Sequence, residues 1–222
     1  MLTVTHAATQ PQSVDKTARA DAFPFLVGTM GAPIPYAHDT EIYGEGDEAE
    51  YVYQVVSGAV RTYKILNDGR RQIGSFYLPG DVFGLEIDDE HAMSAEAVCN
   101  CTISVIKRSS LTSLAGRDSN TAHALWSLTA QELQRAQKHV LLLVRSAQER
   151  VASFLLEMAD RTAAIGSVEL PMPRRDIADY LGLTIETVSR TLTLLEGQAV
   201  IALPSARRIQ ITNVRQLRRL DS

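Results

Sequence analysis

Residues 173–196 read PRRDIADYLGLTIETVSRTLTLLE, and the spacing within this stretch decides how the rest of the chain is organised. Ile177, Ala178 and Leu181 fall on one face of a first short helix, and Pro173 stands at its start, where a missing N–H is harmless. Gly182 ends that helix. Thr184 is a good N-cap for a second one, because its hydroxyl can accept an orphan backbone N–H. Val188, Leu192 and Leu195 form the second helix's buried stripe, which leaves Ile185, Glu186, Ser189, Arg190 and Thr193 on or near the opposite side. The pattern is helix-turn-helix.

Glu186, Ser189 and Arg190 stand at i, i+3 and i+4, so they project together from the first two turns of the second helix. In a helix-turn-helix that end meets base edges in the major groove. An arginine can fork onto guanine O6 and N7, a glutamate can accept from cytosine N4, and a serine adapts to either. A solvated Glu186–Arg190 ion pair is the competing account. The helix-turn-helix context and the polar, cap-ordered register favour contact with DNA.

At these residues the segment LGLTIETVSRTL resembles the CRP/FNR superfamily of bacterial transcription regulators, and E-x-x-S-R within it resembles the FNR and FixK branches. The resemblance implies that Glu186, Ser189 and Arg190 read TTGAT half-sites in a palindrome, and that Arg174, Thr184 and Thr187 contact phosphates. It also implies a homodimer and activation through contact with RNA polymerase, although nothing in the residues separates activator from repressor.

The chain has 222 residues and a net charge of −4, a balance that taken alone argues against a nucleic-acid partner. The distribution reverses that inference: residues 174–219 hold eight arginines against Asp176, Asp179, Glu186 and Glu196. The basic surface is local, and the acidic half should face away from DNA. The length suits two small cores rather than one large one. No apolar run approaches a membrane span and no signal segment opens the chain, so a cytoplasmic protein without membrane contact is expected. Two cysteines, Cys99 and Cys101, cannot supply a disulfide framework.

From about Ile34 to Ile106 short β-type runs alternate with glycine turns. Tyr51, Tyr53 and Val55 alternate with Val52, Gln54 and Val56, Val60 to Leu66 continue after Ser57-Gly58, and Asn67-Asp68-Gly69 signals a hairpin. Many short strands with regular turns imply a jelly roll. The segment is similar to the cyclic-nucleotide-binding fold of the same superfamily, with Gly46-Asp47, Gly58, Gly80-Asp81 and Gly84 at its turns. Cyclic-nucleotide binders of that family hold the phosphate with an arginine after the turn that corresponds to Phe83-Gly84-Leu85-Glu86. Here Ile87-Asp88-Asp89-Glu90-His91 follows, and no arginine occurs between Arg71 and Arg108. Four carboxylates would repel a phosphate, so no cyclic nucleotide is expected.

Other cofactors lack their ligands as well. The iron–sulfur cluster of FNR proper sits on four cysteines, and two cannot hold it in that way. Cys99 and Cys101, two apart on an expected strand, should share one face and act as small apolar side chains. The five histidines are scattered without metal-site spacing, which removes the ligands of a cupin-type metalloenzyme. No cofactor and no enzymatic activity are expected. A ligand- or redox-gated regulator sensing an unidentified effector through the β-roll remains the alternative.

Between Asn120 and Ser146 the period lengthens to that of a helix, with Leu125, Leu128, Ala136, Val140, Leu143 and Val144 along one side. About 26 residues would span roughly 40 Å, more than one small domain needs. A helix that merely covers the β-roll is the simpler account. The family resemblance implies a helix paired with its twin, so Leu125, Leu128, Val140, Leu143 and Val144 are expected at a dimer interface. Beyond it, Val151, Phe154, Leu155 and Met158 pack under the helix-turn-helix. VIALPSARRIQIT makes a wing that brings Arg207 and Arg208 near phosphates, and Asn213 caps a last basic helix. The expected α+β architecture is a flexible tail at 1–20, a β-roll at 21–116, a dimerisation helix at 117–147 and a winged helix-turn-helix at 148–222.

Overall fold

The computed structural model describes residues 31–162 and 166–221. The tail expected at 1–20 and the first ten residues of the expected β-roll lie outside the described residues. The N-terminal part is a jelly roll of two four-stranded antiparallel sheets. One has the order β1 (Ile34–Tyr36), β8 (Cys101–Lys107), β3 (Tyr51–Ser57), β6 (Val82–Phe83), and the other β2 (Glu41–Tyr43), β7 (Ser94–Ala97), β4 (Val60–Ile65), β5 (Arg71–Tyr77). Val55, Val60, Phe83, Ala97, Cys101 and Ile103 pack between them. The turn from β3 to β4 needs glycine twice over. Gly58 has φ 82°, and a Cβ there would stand 2.5 Å from the Cys101 Cβ. The hairpin at Asn67-Asp68-Gly69 joins β4 to β5, with Ile65 opposite Arg71.

The two cysteines do not share a face. β8 begins at Cys101, and Cys99 lies in the bend before it, so the pleat that would align them is absent. Cys101 joins the core between the sheets, whereas Cys99 packs against the cluster on the far side of the roll.

Helix α1 (Arg108–Ala115) leads into α2 (Ser119–Leu142), whose N-cap Asp118 accepts the Thr121 N–H at 2.9 Å. The 24 residues of α2 span about 36 Å. It stops at Leu142 rather than at Ser146, because Ser146 is the N-cap of the next helix, α3 (Ala147–Arg161), and makes a capping box with Glu149. Leu143 is therefore the C-cap of α2, and Val144 lies beyond it.

The apolar positions of α2 divide into two stripes. Leu128 is 6% exposed against Val52, Val82, Ile106 and Leu111, and Leu125 packs on the same cluster. These two residues, expected on the dimer-facing side, cover the chain's own β-roll instead. Trp126, Leu133 and Val140, spaced by sevens, point outward at 74, 59 and 65% exposure.

The C-terminal part places β9 (Ser167–Glu169), α4 (Arg174–Leu181), α5 (Ile185–Gly197), β10 (Ile201–Ala202), β11 (Arg208–Ile211) and α6 (Val214–Leu220) after α3. β11 sits between β10 and β9 in a small wing sheet, of which β9 was not foreseen. The two expected cores meet. A single cluster runs from Ile73, Phe76 and Leu78 of the roll through Phe154, Leu155 and Met158 of α3 to Leu181, Leu192 and Leu195.

Polar contacts seal that junction. Asp81, in the turn before β6, lies 2.7 Å from Arg135 of α2 and 2.6 Å from Arg161 of α3, and it accepts the Leu78 N–H at 2.7 Å. Burial alone would raise the Asp81 pKa, but Arg161, Arg135 and the Leu78 N–H together hold it below the ordinary 3.8. A carboxyl depressed in this way stabilises the fold above its unfolded value, and the contribution is lost as pH falls through the folded value. Asp81→Asn is expected to lose about 3 kcal/mol, because two half-buried arginines lose their shared counter-ion. Urea denaturation near neutral pH measures the loss. Wild type and variant should converge as the buffer is taken below the ordinary carboxylate range, and equal stability at neutral pH would refute the clamp.

Candidate nucleic-acid interface

Pro173 is the N-cap of α4 with ψ 163°, and Arg174 is its first residue. Gly182 closes α4 in the left-handed conformation, φ 61°, which turns the chain into the next helix within three residues. Thr184 then caps α5, its hydroxyl accepting the Thr187 N–H at 3.2 Å. Val188, Leu192 and Leu195, at 0, 2 and 0% exposure, fix the rotation of α5 about its axis. The opposite face is set by that rotation: Glu186 and Arg190 are exposed and Ser189 is half-buried.

The three side chains expected to read bases are thus brought together on one exposed face. The Glu186 pKa is lowered by its own backbone N–H and the Thr184 hydroxyl, with a smaller contribution from Arg190. Glu186 is a carboxylate at neutral pH. The Arg190 guanidinium does not close on it: Arg190 Nε points to the Glu186 carbonyl oxygen at 3.4 Å. Among the described residues no Glu186–Arg190 ion pair forms, so both charged groups are available to a partner.

Of the residues expected at phosphates, Thr184 caps α5 and Thr187 lies in its first turn, next to this face. Thr184 and Thr187 place their hydroxyls 3.1 Å apart. Arg207 and Arg208 are exposed at the wing tip, where the Ser205 hydroxyl accepts the Arg208 N–H at 3.1 Å. Leu203 at the base of the wing donates its N–H to the Glu196 carboxylate at 3.0 Å, tying the wing to α5. Thr184, Thr187 and Arg207 line a cleft of about 1050 Å³ between the helix-turn-helix and the β4–β5 hairpin, whereas Arg174 and Arg208 lie outside it. Sequence reasoning missed Arg175, which is exposed and lines the same cleft, although the Arg174-Arg175 pair was a visible signal. It also missed Arg61 and Arg71 of the roll on the opposite wall, for which no local signal exists.

The interior of the roll is the second place where a ligand could act. It is filled by rings: Tyr43 stacks on His91 with centroids 3.5 Å apart, and Phe83 stacks on Tyr53 and Tyr77 at 5.1 Å each. His91 Nδ1 lies 3.4 Å from Glu86, and its Nε2 is buried without a hydrogen-bond partner. Asp88, Asp89 and Glu90 of the following loop are exposed. Burial, and then the neighbouring Cys99, push the Cys101 thiol up to about 11, so it is not a nucleophile at neutral pH. Among the described residues no three His, Cys, Asp or Glu side chains are grouped to hold a metal, and no helix is long and apolar enough to cross a membrane.

Known proteins share both halves of this architecture. A family described as the Crp-like helix-turn-helix domain matches residues 149–220, and one described as the cyclic nucleotide-binding domain matches residues 33–118. The nitrogen fixation regulation protein FixK of Azorhizobium caulinodans is 53% identical over 203 residues, covering 89% of this chain and 82% of its own. FixK of Rhizobium meliloti is 41% identical over 218 residues, with 96 and 97% covered. The solved structure of FixK2 from Bradyrhizobium japonicum superposes with a TM-score of 0.83 at 55% identity, over 86% of this chain and 97% of its own.

Likeness to a cyclic nucleotide-binding domain is likeness of fold, and the chemistry must come from the site. With rings filling the roll and carboxylates on the loop after Phe83, cyclic AMP is expected to give no binding heat in calorimetry and to leave DNA affinity unchanged. Saturable binding in the micromolar range would refute this.

Proposed function

The chain belongs to the FixK-like branch of the CRP/FNR family of transcription regulators, and we propose that it binds a TTGAT-type palindrome as a homodimer without cyclic nucleotide or iron–sulfur cluster. The observation that carries this is the exposed triplet Glu186, Ser189 and Arg190 on a helix whose rotation is fixed by a fully buried stripe. Arg190 forks onto a guanine, Glu186 accepts from the cytosine amino group, and Ser189 adapts to the neighbouring base. Arg174, Thr184, Thr187, Arg207 and Arg208 hold phosphates and set the register. Two recognition helices then enter successive major grooves about 34 Å apart. Activation follows from contact with RNA polymerase in the cytoplasm. The role proposed for these residues is to bind and orient, and no enzymatic activity is part of it.

The dimer seam of this proposal is the outer stripe of α2. Trp126, Leu133 and Val140 repeat every seven residues and are exposed in the monomer, as one side of a coiled coil would be. Val144 continues the stripe past the end of α2. Gating through a redox pair has less support, because Cys99 and Cys101 pack into different clusters.

Two measurements test the proposal. Leu133→Glu buries a charge at the seam and should leave a folded monomer, read by light scattering. An unchanged dimer would move the seam elsewhere. Sites selected from random DNA should contain a palindrome, and single-base changes in it separate reading from holding. Arg190→Ala is expected to lose about 1–3 kcal/mol per half-site and to relax preference at one base pair. Arg174→Ala should weaken all sequences alike and lower the salt slope by about one per protomer. Uniform loss with base preferences intact in Arg190→Ala would remove the recognition helix from this role.

A further inference from the structure

Asp176 stands in the first turn of α4, is 2% exposed, and shares its carboxylate between two arginines of the β-roll. Arg61 of β4 reaches Asp176 at 2.7 Å through Nη1, while its Nη2 holds Glu96 at 2.8 Å and Asp39 at 3.0 Å. Arg71 of β5 pairs with Asp176 and also with Asp179, at 2.8 Å, one turn further along α4. Burial alone would weaken the Arg61 charge, but Asp176 and then Glu96 keep its pKa above the ordinary value.

A buried ion cluster is a poor source of net stability, because desolvation offsets most of the attraction. It is an effective discriminator of geometry. Any rotation of α4 that withdrew Asp176 from both arginines would leave a buried, uncompensated charge, the most unfavourable outcome available to that helix. Since α5 follows α4 after a three-residue turn, fixing α4 against the roll fixes the recognition helix too. In this arrangement Glu186, Ser189 and Arg190 make no polar contact with the described residues of the roll, and Glu186 and Arg190 are exposed.

We propose that Arg61 and Arg71 of the β-roll are positioning residues for DNA recognition, holding α4 through Asp176 and Asp179 so that the recognition helix stays in its DNA-competent orientation without an effector. The proposal rests on the palindrome-reading role given above. The roll's own side chains do what a bound ligand would otherwise have to do: they select one orientation of the DNA-binding domain by differential contact.

The test compares wild type, Arg71→Gln, Asp176→Asn and the double variant by fluorescence anisotropy on the selected palindrome and on the same duplex with one half-site scrambled. Each single variant is expected to lose about tenfold on the palindrome, a typical coupling between distant sites. The double variant should lose less than the sum of the two single losses, because both substitutions break the Arg71–Asp176 contact, while Arg71–Asp179 and Arg61–Asp176 are each broken by only one of them. Binding to the single half-site, base preferences and the salt slope should stay at wild-type values, since no contact with DNA is removed. Arg71→Lys should restore part of the palindrome affinity.

Higher palindrome affinity in the variants would make the cluster inhibitory, and unchanged affinity would make it merely structural. Additive losses, or a salt slope lowered by about one per protomer, would show that Arg71 touches phosphate directly. Each of these results overturns the proposal. If Asp176→Asn does not fold, Asp179→Asn at the half-buried end of the cluster replaces it in the same comparison. A wild type that does not distinguish the palindrome from the scrambled duplex overturns the palindrome-reading role itself, and this proposal with it.

Discussion

The burial of two carboxylates between arginines of distant segments is the constraint on which the rest of the structure depends. Asp176 is held by Arg61 and Arg71, and Asp81 is held by Arg135 and Arg161. The first cluster ties the roll to α4, and the second ties the roll to α2 and α3. Between them lies the apolar cluster that runs from Phe76 through Phe154 to Leu195. Apolar burial is non-directional and would tolerate sliding. The ion clusters do not tolerate it, because a carboxylate withdrawn from its guanidinium partners inside the junction has no water to replace them. Hydrophobic contact thus supplies most of the favourable free energy, and the arginines choose among the packings it would allow.

What was legible in the sequence is what local chemistry determines. The helix-turn-helix followed from the spacing of Ile177, Leu181, Val188 and Leu192, the Gly182 turn and the Thr184 cap, all within about twenty residues. The roll's turns were visible as glycines, because a positive φ leaves few other choices. The wing hairpin around Pro204-Ser205 was visible for a related reason, whereas its third strand, β9, is three residues long and carries no pattern of its own. Arg61 and Arg71 lie 115 and 105 residues from Asp176. Nothing in a single sequence pairs them, since ordinary strand positions with a charged residue read as solvated faces.

The reading of α2 put Leu125 and Leu128 on one side with Val140, and the reason is more general. A helix that packs on its own domain with one face and presents an apolar stripe on another carries two periodic patterns on one cylinder. Leu125 and Leu128 belong to the first, and Trp126, Leu133 and Val140 to the second. With apolar residues adjacent in sequence, as at 125–126 and 140–142, the two patterns blend into one broad stripe. The end of the helix was decodable, since Ser146-Ala147-Gln148-Glu149 is a capping box that starts α3 and so terminates α2 before it. Capping chemistry is the better guide to where such a helix stops, because it depends on a few atoms at one place rather than on an average over turns.

Charge is where the two halves of the molecule act on a common problem. A chain of net charge −4 has to approach a polyanion with a region that carries Asp176, Asp179, Glu186 and Glu196. Three of these four carboxylates are engaged within the protein: Asp176 and Asp179 by arginines of the roll, and Glu196 by the Leu203 N–H. Glu186, held locally by its own backbone N–H and the Thr184 hydroxyl, stands on the exposed face beside Arg190. A carboxylate there is repelled by every phosphate and gains only from a correctly placed cytosine amino group, so in the proposed role it lowers affinity for all DNA in order to discriminate among sequences. A surface that gives up affinity in this way depends on the accuracy of its remaining contacts. That accuracy is what the buried arginines of the roll provide when they fix α4.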